Sequence, residues 1–296
     1  MLTYQSIEEF CQQAEQAGTA ISQVILQDQA HQLGLEEGAV FDQMSARLQV
    51  MRESAQAGMD PELRSTSGLS GGGAAKMLAY AQSGGISGAF VNNAIARALA
   101  VSEYNAAMGK IVAAPTAGSC GILPGTILSV LEGDECGWDA AVMALFTAGG
   151  FGMVISHRAT LAGAEGGRQA ECGAAAAMAA AALVELRGGS PRQASHACAM
   201  ALKNQLGLVC DPVAGLVEIP CIKRNAGGVM IALSSAEMAL AGVESKIPAD
   251  ECITAMYEVG RALPASLRET SQGGLAATPT GLRLKEQIFG PPVEQN

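Results

Sequence analysis

Between Gly173 and Val184 the chain reads GAAAAMAAAALV, a stretch in which nearly every side chain is a single methyl group. Alanine is the strongest helix former, and a helix without a polar face has to be buried on all sides. The run stops at Glu185, well short of the roughly 20 residues that cross a bilayer. It is therefore read as a buried helix and not as an anchor. Side chains this small let neighbouring backbones approach closely, so the remaining sequence has to supply helices that surround it.

The rest of the chain fits that demand. Of 296 residues 49% are apolar and only 4% aromatic, ample for a large core built from small residues. From Ser65 onward, Ala-, Met- and Leu-rich stretches alternate with glycine-dense loops at residues 65–73, 113–125, 163–173 and 273–281, and alternating β-type runs are scarce. The expectation is an all-α fold, a compact helical domain with glycine-rich loops at its site, covering 1–296 as one unit. Within it, residues 1–60 form an N-terminal helical section and 65–281 the core. In the front section Ser6 with Glu9 makes a capping-box pattern, and Ile7, Phe10, Cys11, Ala14, Ile21, Val24 and Ile25 follow at mostly helical spacing. A second helix carries Phe41, Met44, Leu48 and Met51, and Gly58 to Pro61 ends the section. Residues 291–296 read as a loose end.

Net charge narrows the partners. At −10, with no stripe of Lys or Arg, the surface repels polyanions, so nucleic acid is not an expected partner. The first twenty residues carry Glu8, Glu9 and Glu15 and no basic region, which argues against export. Eight irregularly spaced cysteines do not describe a disulfide framework. The expected setting is the cytoplasm, the expected ligand a small molecule.

Four segments could carry chemistry. STSGLSGGG (65–73) offers four hydroxyls and a string of backbone amides before an Ala-rich helix start, the makings of an anion cradle. No GK[ST] or GxGxxG follows, which leaves carboxylate and phosphate open as guests and a purely flexible glycine loop as the plain alternative. AAPTAGSCGILPG (113–125) sets Thr116, Ser119 and Cys120 between prolines and glycines, yet no nearby histidine supports a thiol nucleophile, and a buried small hydrophobe explains Cys120 equally. GAEGGRQAECG (163–173) brings Glu165, Arg168, Gln169, Glu171 and Cys172 to the start of the alanine helix, where acidic residues also suit the helix dipole. CDPVAGLVEIPCIKRN (210–225) holds Cys210 and Cys221 among prolines and aliphatics. Zinc is a poor match, because no close CxxC pair exists and His31, His157 and His196 have no ligand spacing to these thiols. An iron–sulfur cluster tolerates wider spacing, and two buried cysteines without a ligand remain the plain alternative.

Together STSGLSGG, VSEYNAAMGKIVAAPTAGSCGILPG, AGAEGGRQAECG, CDPVAGLVEIPCIKRNA and LRETSQGGLAATPTG closely resemble the α chain of iron–sulfur-dependent L-serine dehydratase, from about Ser65 to Gly281. The resemblance implies an all-α catalytic domain, a separate β-chain partner and a hetero-oligomer. It also implies conversion of L-serine to pyruvate and ammonia, a place in amino-acid catabolism and gluconeogenesis, and a 4Fe-4S cluster. In the family mechanism an open iron takes the serine hydroxyl while a base removes the α-proton. The loop at Ser65, Thr66, Ser67 and Gly68 would hold the substrate carboxylate, and the base is not singled out.

One departure outweighs the agreements. The family reads GGCQAE, with that cysteine a cluster ligand, and this chain reads GGRQAE with Arg168 in its place. Arginine stays protonated and offers iron no lone pair, so Cys210 and Cys221 remain of three expected ligands. Cys172, one helical turn on, is the candidate substitute, displaced by about 5–6 Å if the segment is helical. A second departure, Gly73 where the family loop often continues with an acidic residue, bears on how the substrate amino group is held. Two other readings follow: a cluster-free paralogue that uses Arg168 to bind another small amino or hydroxy acid or serves as a non-catalytic subunit, and a pyridoxal-phosphate lyase built on Lys76 and the 65–73 loop. The family motifs speak against the last, so no pyridoxal phosphate is expected.

Overall fold

The computed structural model describes residues 3–133 and 136–290, and among them the alanine run forms the helix at the centre of the molecule. In chain order the α-helices are α1 (Ile7–Ala17), α2 (Ile21–Leu33), α3 (Glu37–Ala57), α4 (Gly73–Ala81), α5 (Gly88–Ala106), α6 (Ile122–Glu132), α7 (Trp138–Arg158), α8 (Gly163–Gly166), α9 (Ala174–Leu186), α10 (Pro191–Lys203), α11 (Cys221–Leu240), α12 (Ala249–Ala262) and α13 (Pro279–Phe289). Among the described residues there is no strand, only one isolated parallel bridge between Cys210 and Arg268. The expected all-α class is what the protein adopts.

Every residue of α9 from Ala174 to Val184 is buried, because α6, α7, α10 and α11 pack around it. α7 is, by length and composition alone, long and apolar enough to cross a membrane. Here it is a core helix, two thirds buried between α2, α3 and α9. The front section wraps this core, α1 lying on α10, α2 on α7, and α3 on α5 and α7.

Local chemistry sets the helix ends. Ser6 Oγ accepts the Glu9 N–H, and the Glu9 carboxylate reaches back to the N–H of Gln5, one residue before the position a strict capping box would use. The continuous helical spacing through Ile25 is broken by Gly18, whose φ of 62° lets its N–H cap the carbonyls of Ala14 and Glu15. The single helix expected there is therefore two. α3 carries Leu48 and Met51 in the core and ends, as expected, before Gly58. A Cβ at Gly58 would run into the backbone of Ala100 on α5. Gly58→Ala is expected to cost about 1–3 kcal/mol or more by forcing α3 off α5, a loss readable from the urea midpoint. The 113–125 loop is shorter than expected, since α6 starts at Ile122 and takes in Pro124 within its first turn, where a missing N–H costs nothing. The expected loose end at 291–296 lies outside the described residues.

Candidate functional site

A π-helical turn over Gln169–Gly173 joins Arg168 to the N-terminus of α9. Gln169 fixes it, donating to the Met256 carbonyl on α12 at 2.7 Å and accepting the Gly207 N–H at 2.9 Å. Arg168 is thereby driven inward, with none of its surface exposed. Its Nη1 donates to Glu171 Oε2 at 2.5 Å and its Nη2 to Cys221 Sγ at 2.8 Å. Cys221 opens α11 and Cys210 precedes it, its Sγ 4.0 Å from Glu171 Oε2. Cys172 lies within electrostatic reach of both Arg168 and Cys221, with its Sγ 3.9 Å from the Gly118 carbonyl. Arg168 thus sits among three buried thiols, of Cys172, Cys210 and Cys221.

The 116–121 turn closes this chamber. Thr116 Oγ1 donates to Glu171 Oε1 at 2.7 Å. Asn225 donates to the carbonyls of Gly118 (2.9 Å) and Cys221 (3.0 Å) and accepts the Gly121 N–H (2.9 Å), tying the turn to α11. Gly118 is required there, because a Cβ would collide with Arg168 Nη1 and Glu171. On the far side the Cys210 carbonyl accepts the Glu269 N–H, and donor atoms of Glu171, Cys210 and Glu269 come within 4.8 Å of one another. Arg168 already holds the Glu171 oxygen of that trio.

Charge in the chamber is governed by burial. Burial pushes the Glu171 carboxyl up, against the pull of Arg168 and Thr116. Burial works against the charge of Arg168, but the pull of Cys221 and Glu171 outweighs it and holds the guanidinium cationic. Burial drives the Cys210 thiol up to about 12 and raises Cys172 and Cys221 as well, although Arg168 opposes this in each. All three are thiols at pH 8, so each is expected to resist iodoacetamide in the folded chain and to react once urea exposes it, with peptide mass mapping as the check. Cys120 is likewise buried and held up to about 12, which fits a core side chain and not a nucleophile.

Does this donor set accommodate a three-thiolate cluster? The Nε of Arg168 is buried with no acceptor among the described residues, a cost a chamber shaped for guanidinium would avoid. Three soft sulfurs around it are the surroundings that suit an iron–sulfur group. Yet the guanidinium is held between Glu171 and Cys221, in contact with one of the sulfurs, and contributes no ligand. With Arg168 in place the residues do not fit the cluster, and Cys172 could serve as third ligand only if that side chain left.

The predicted carboxylate loop takes up carboxylates of the chain itself. The N–H groups of Gly73 and Ala74, at the start of α4, bind Glu103 of α5 at 3.0 and 3.1 Å. Ser67 and Ser70 donate their hydroxyls to Glu218, and Ser65 Oγ accepts the Ser70 N–H. Gly68 turns the loop with φ 76°, and Thr66, exposed at the rim, keeps its hydroxyl clear of protein partners among the described residues. Thr66, Ser67, Asn105 and Glu218 line a cavity of about 470 Å³ with Met108, Leu216, Val217, Ile288 and Phe289. Lys76 is exposed on α4, and the amides a phosphate would need belong to Glu103. Of these groups Glu218, Glu269, Asn105 and Asn225 were not singled out from the sequence. The one available signal was a lone carboxylate inside the aliphatic run AGLVEIP.

Comparison with known proteins adds the family. A model described as serine dehydratase alpha chain matches residues 16–276. The chain is 48% identical to the "Probable L-serine dehydratase, alpha chain" of Bacillus subtilis (strain 168), over 97% of this chain and 96% of that one. It is 58% identical to the protein of the same description from Latilactobacillus sakei, over 67% of this chain and 94% of that one. With the "L-serine dehydratase, alpha chain" of Peptoniphilus asaccharolyticus it shares 45% identity over 92% of this chain and 94% of that one. Matches that span nearly the whole length, together with loops that converge on one buried thiol chamber, identify the chain as a member of the serine dehydratase alpha chain family.

Proposed function

We propose that this chain is the α subunit of an L-serine ammonia-lyase, working with a β chain to dehydrate L-serine and release pyruvate and ammonia. The observation that carries the reading is convergence: the 113–121 turn, the 163–173 segment, Cys210, Cys221 and Glu269 come from distant parts of the chain and meet around one buried centre. The names of full-length relatives supply the substrate and, through "alpha chain", the partner. A cytoplasmic setting is supported by eight cysteines, none in a disulfide.

In this reading the 65–68 loop faces the substrate through Thr66, with Asn105 across the same cavity, while the protons of Ser67 and Ser70 hold Glu218. The thiol chamber is where the family's 4Fe-4S cluster would supply Lewis-acid chemistry, and Arg168 stands in its way. Turnover by the chain as it stands is therefore expected to be low. The buried Arg168 also favours a second reading, a cluster-free relative that binds small amino acids without converting them. Anaerobic assay of pyruvate from L-serine, with the β chain present, separates the two. Turnover that rises when Arg168 is replaced by cysteine supports the lyase, and no pyruvate from either form overturns it.

A further inference from the structure

Among the described residues Glu218 has no counter-charge. Only 5% of it is exposed, and buried carboxylates are ordinarily paired. Ser67 donates to its Oε1 at 2.8 Å and Ser70 to its Oε2 at 2.6 Å, but no Lys, Arg or His pairs with it among the described residues. A carboxylate has about four acceptor positions, so two serine hydroxyls leave acceptor capacity over. The same side chain borders the cavity that Thr66 and Asn105 line. Those two can donate hydrogen bonds, and no protein group takes them up among the described residues. A cavity with donors on one side and an unanswered carboxylate on another is complementary to a zwitterion.

We propose that Glu218 receives the α-ammonium group of the substrate, with its carboxylate held by the Thr66 hydroxyl and the Asn105 amide, which makes Glu218 the residue that selects amino acids over hydroxy acids. The assignment rests on the reading that this chain acts on a small amino acid. It gives the serine-rich loop a definite task, since Ser67 and Ser70 fix the rotamer of Glu218. It also links the two halves of the site. The Glu218 carbonyl accepts the Ile222 N–H at 3.0 Å, so the segment that carries the ammonium anchor is tied to the first turn of α11, which Cys221 opens.

The test compares L-serine with 3-hydroxypropanoate, which keeps the hydroxyl and carboxylate and lacks the ammonium. Calorimetric titration of the full chain is expected to give at least about tenfold tighter binding of serine, the scale of one charge-assisted hydrogen bond. Glu218→Gln keeps the shape and two acceptor or donor positions, and is expected to lose that preference by weakening serine while leaving 3-hydroxypropanoate unchanged or tighter. Undiminished serine binding by this variant overturns the assignment and leaves the lyase reading standing. Equal binding of the two ligands by the unmodified chain also overturns it, and does so even if the variant does not fold. If the unmodified chain binds neither ligand, the amino-acid reading fails and the assignment with it.

Discussion

Arg168→Cys is expected to take up iron and sulfide on anaerobic reconstitution and to raise pyruvate formation from L-serine at least about a hundredfold, the scale of several kcal/mol of Lewis-acid stabilisation. The substitution removes the cation that occupies the chamber and supplies the soft ligand it lacks, beside Cys210 and Cys221. It also leaves Glu171 without its counter-ion. Without the guanidinium, burial pushes the Glu171 carboxyl up unopposed by Arg168, while Thr116 still donates to its Oε1. The iron content, sulfide content and rate should rise together. Iron without a gain in rate would locate the defect elsewhere in the site, and no gain in either would mean that this chamber is not where a cluster forms.

Glu171→Gln, by contrast, is expected to destabilise the fold by about 3–5 kcal/mol, since it leaves the Arg168 charge buried with only thiols around it. That is a large share of the roughly 5–15 kcal/mol by which domains are stable, so the urea midpoint should fall steeply. The pair Arg168→Met with Glu171→Leu removes both charges and should recover most of the loss, because a buried ion pair and a well-packed apolar pair are of similar worth. A Glu171→Gln chain as stable as the parent would show that Arg168 is neutralised by something other than this carboxylate. A double variant no better than the single one would point to the shape of the site and not to its charge.

The central helix was legible because its composition admits one outcome: GAAAAMAAAALV has no polar face, and α9 is buried all round. The break at Gly18 was not, since the apolar period continues across it, and what ends α1 there is a left-handed cap that periodicity does not register. Pro124 read as loop for a related reason, the first turn of a helix being the one place where proline fits. The site divides along the same line. Arg168, Cys172, Cys210 and Cys221 could be picked out by type and do meet in space. The 65–73 loop was read as a cradle for a substrate carboxylate, and in the structure its amides and hydroxyls bind Glu103 and Glu218 of the chain itself, 30 and 151 residues from the loop positions they contact. Partners so distant in sequence are set by the packing of α4 and α11 on α5, which no local pattern encodes.

Everything said of this site turns on Arg168 keeping the cluster out. Iron and acid-labile sulfide, measured with the visible spectrum on the unmodified chain after anaerobic purification and reconstitution with its β chain, test this directly. The expected result is a colourless protein with neither element in stoichiometric amount. About four irons per chain with a broad brown absorbance would contradict it, and would require that Arg168 leave the chamber and Cys172 take its place.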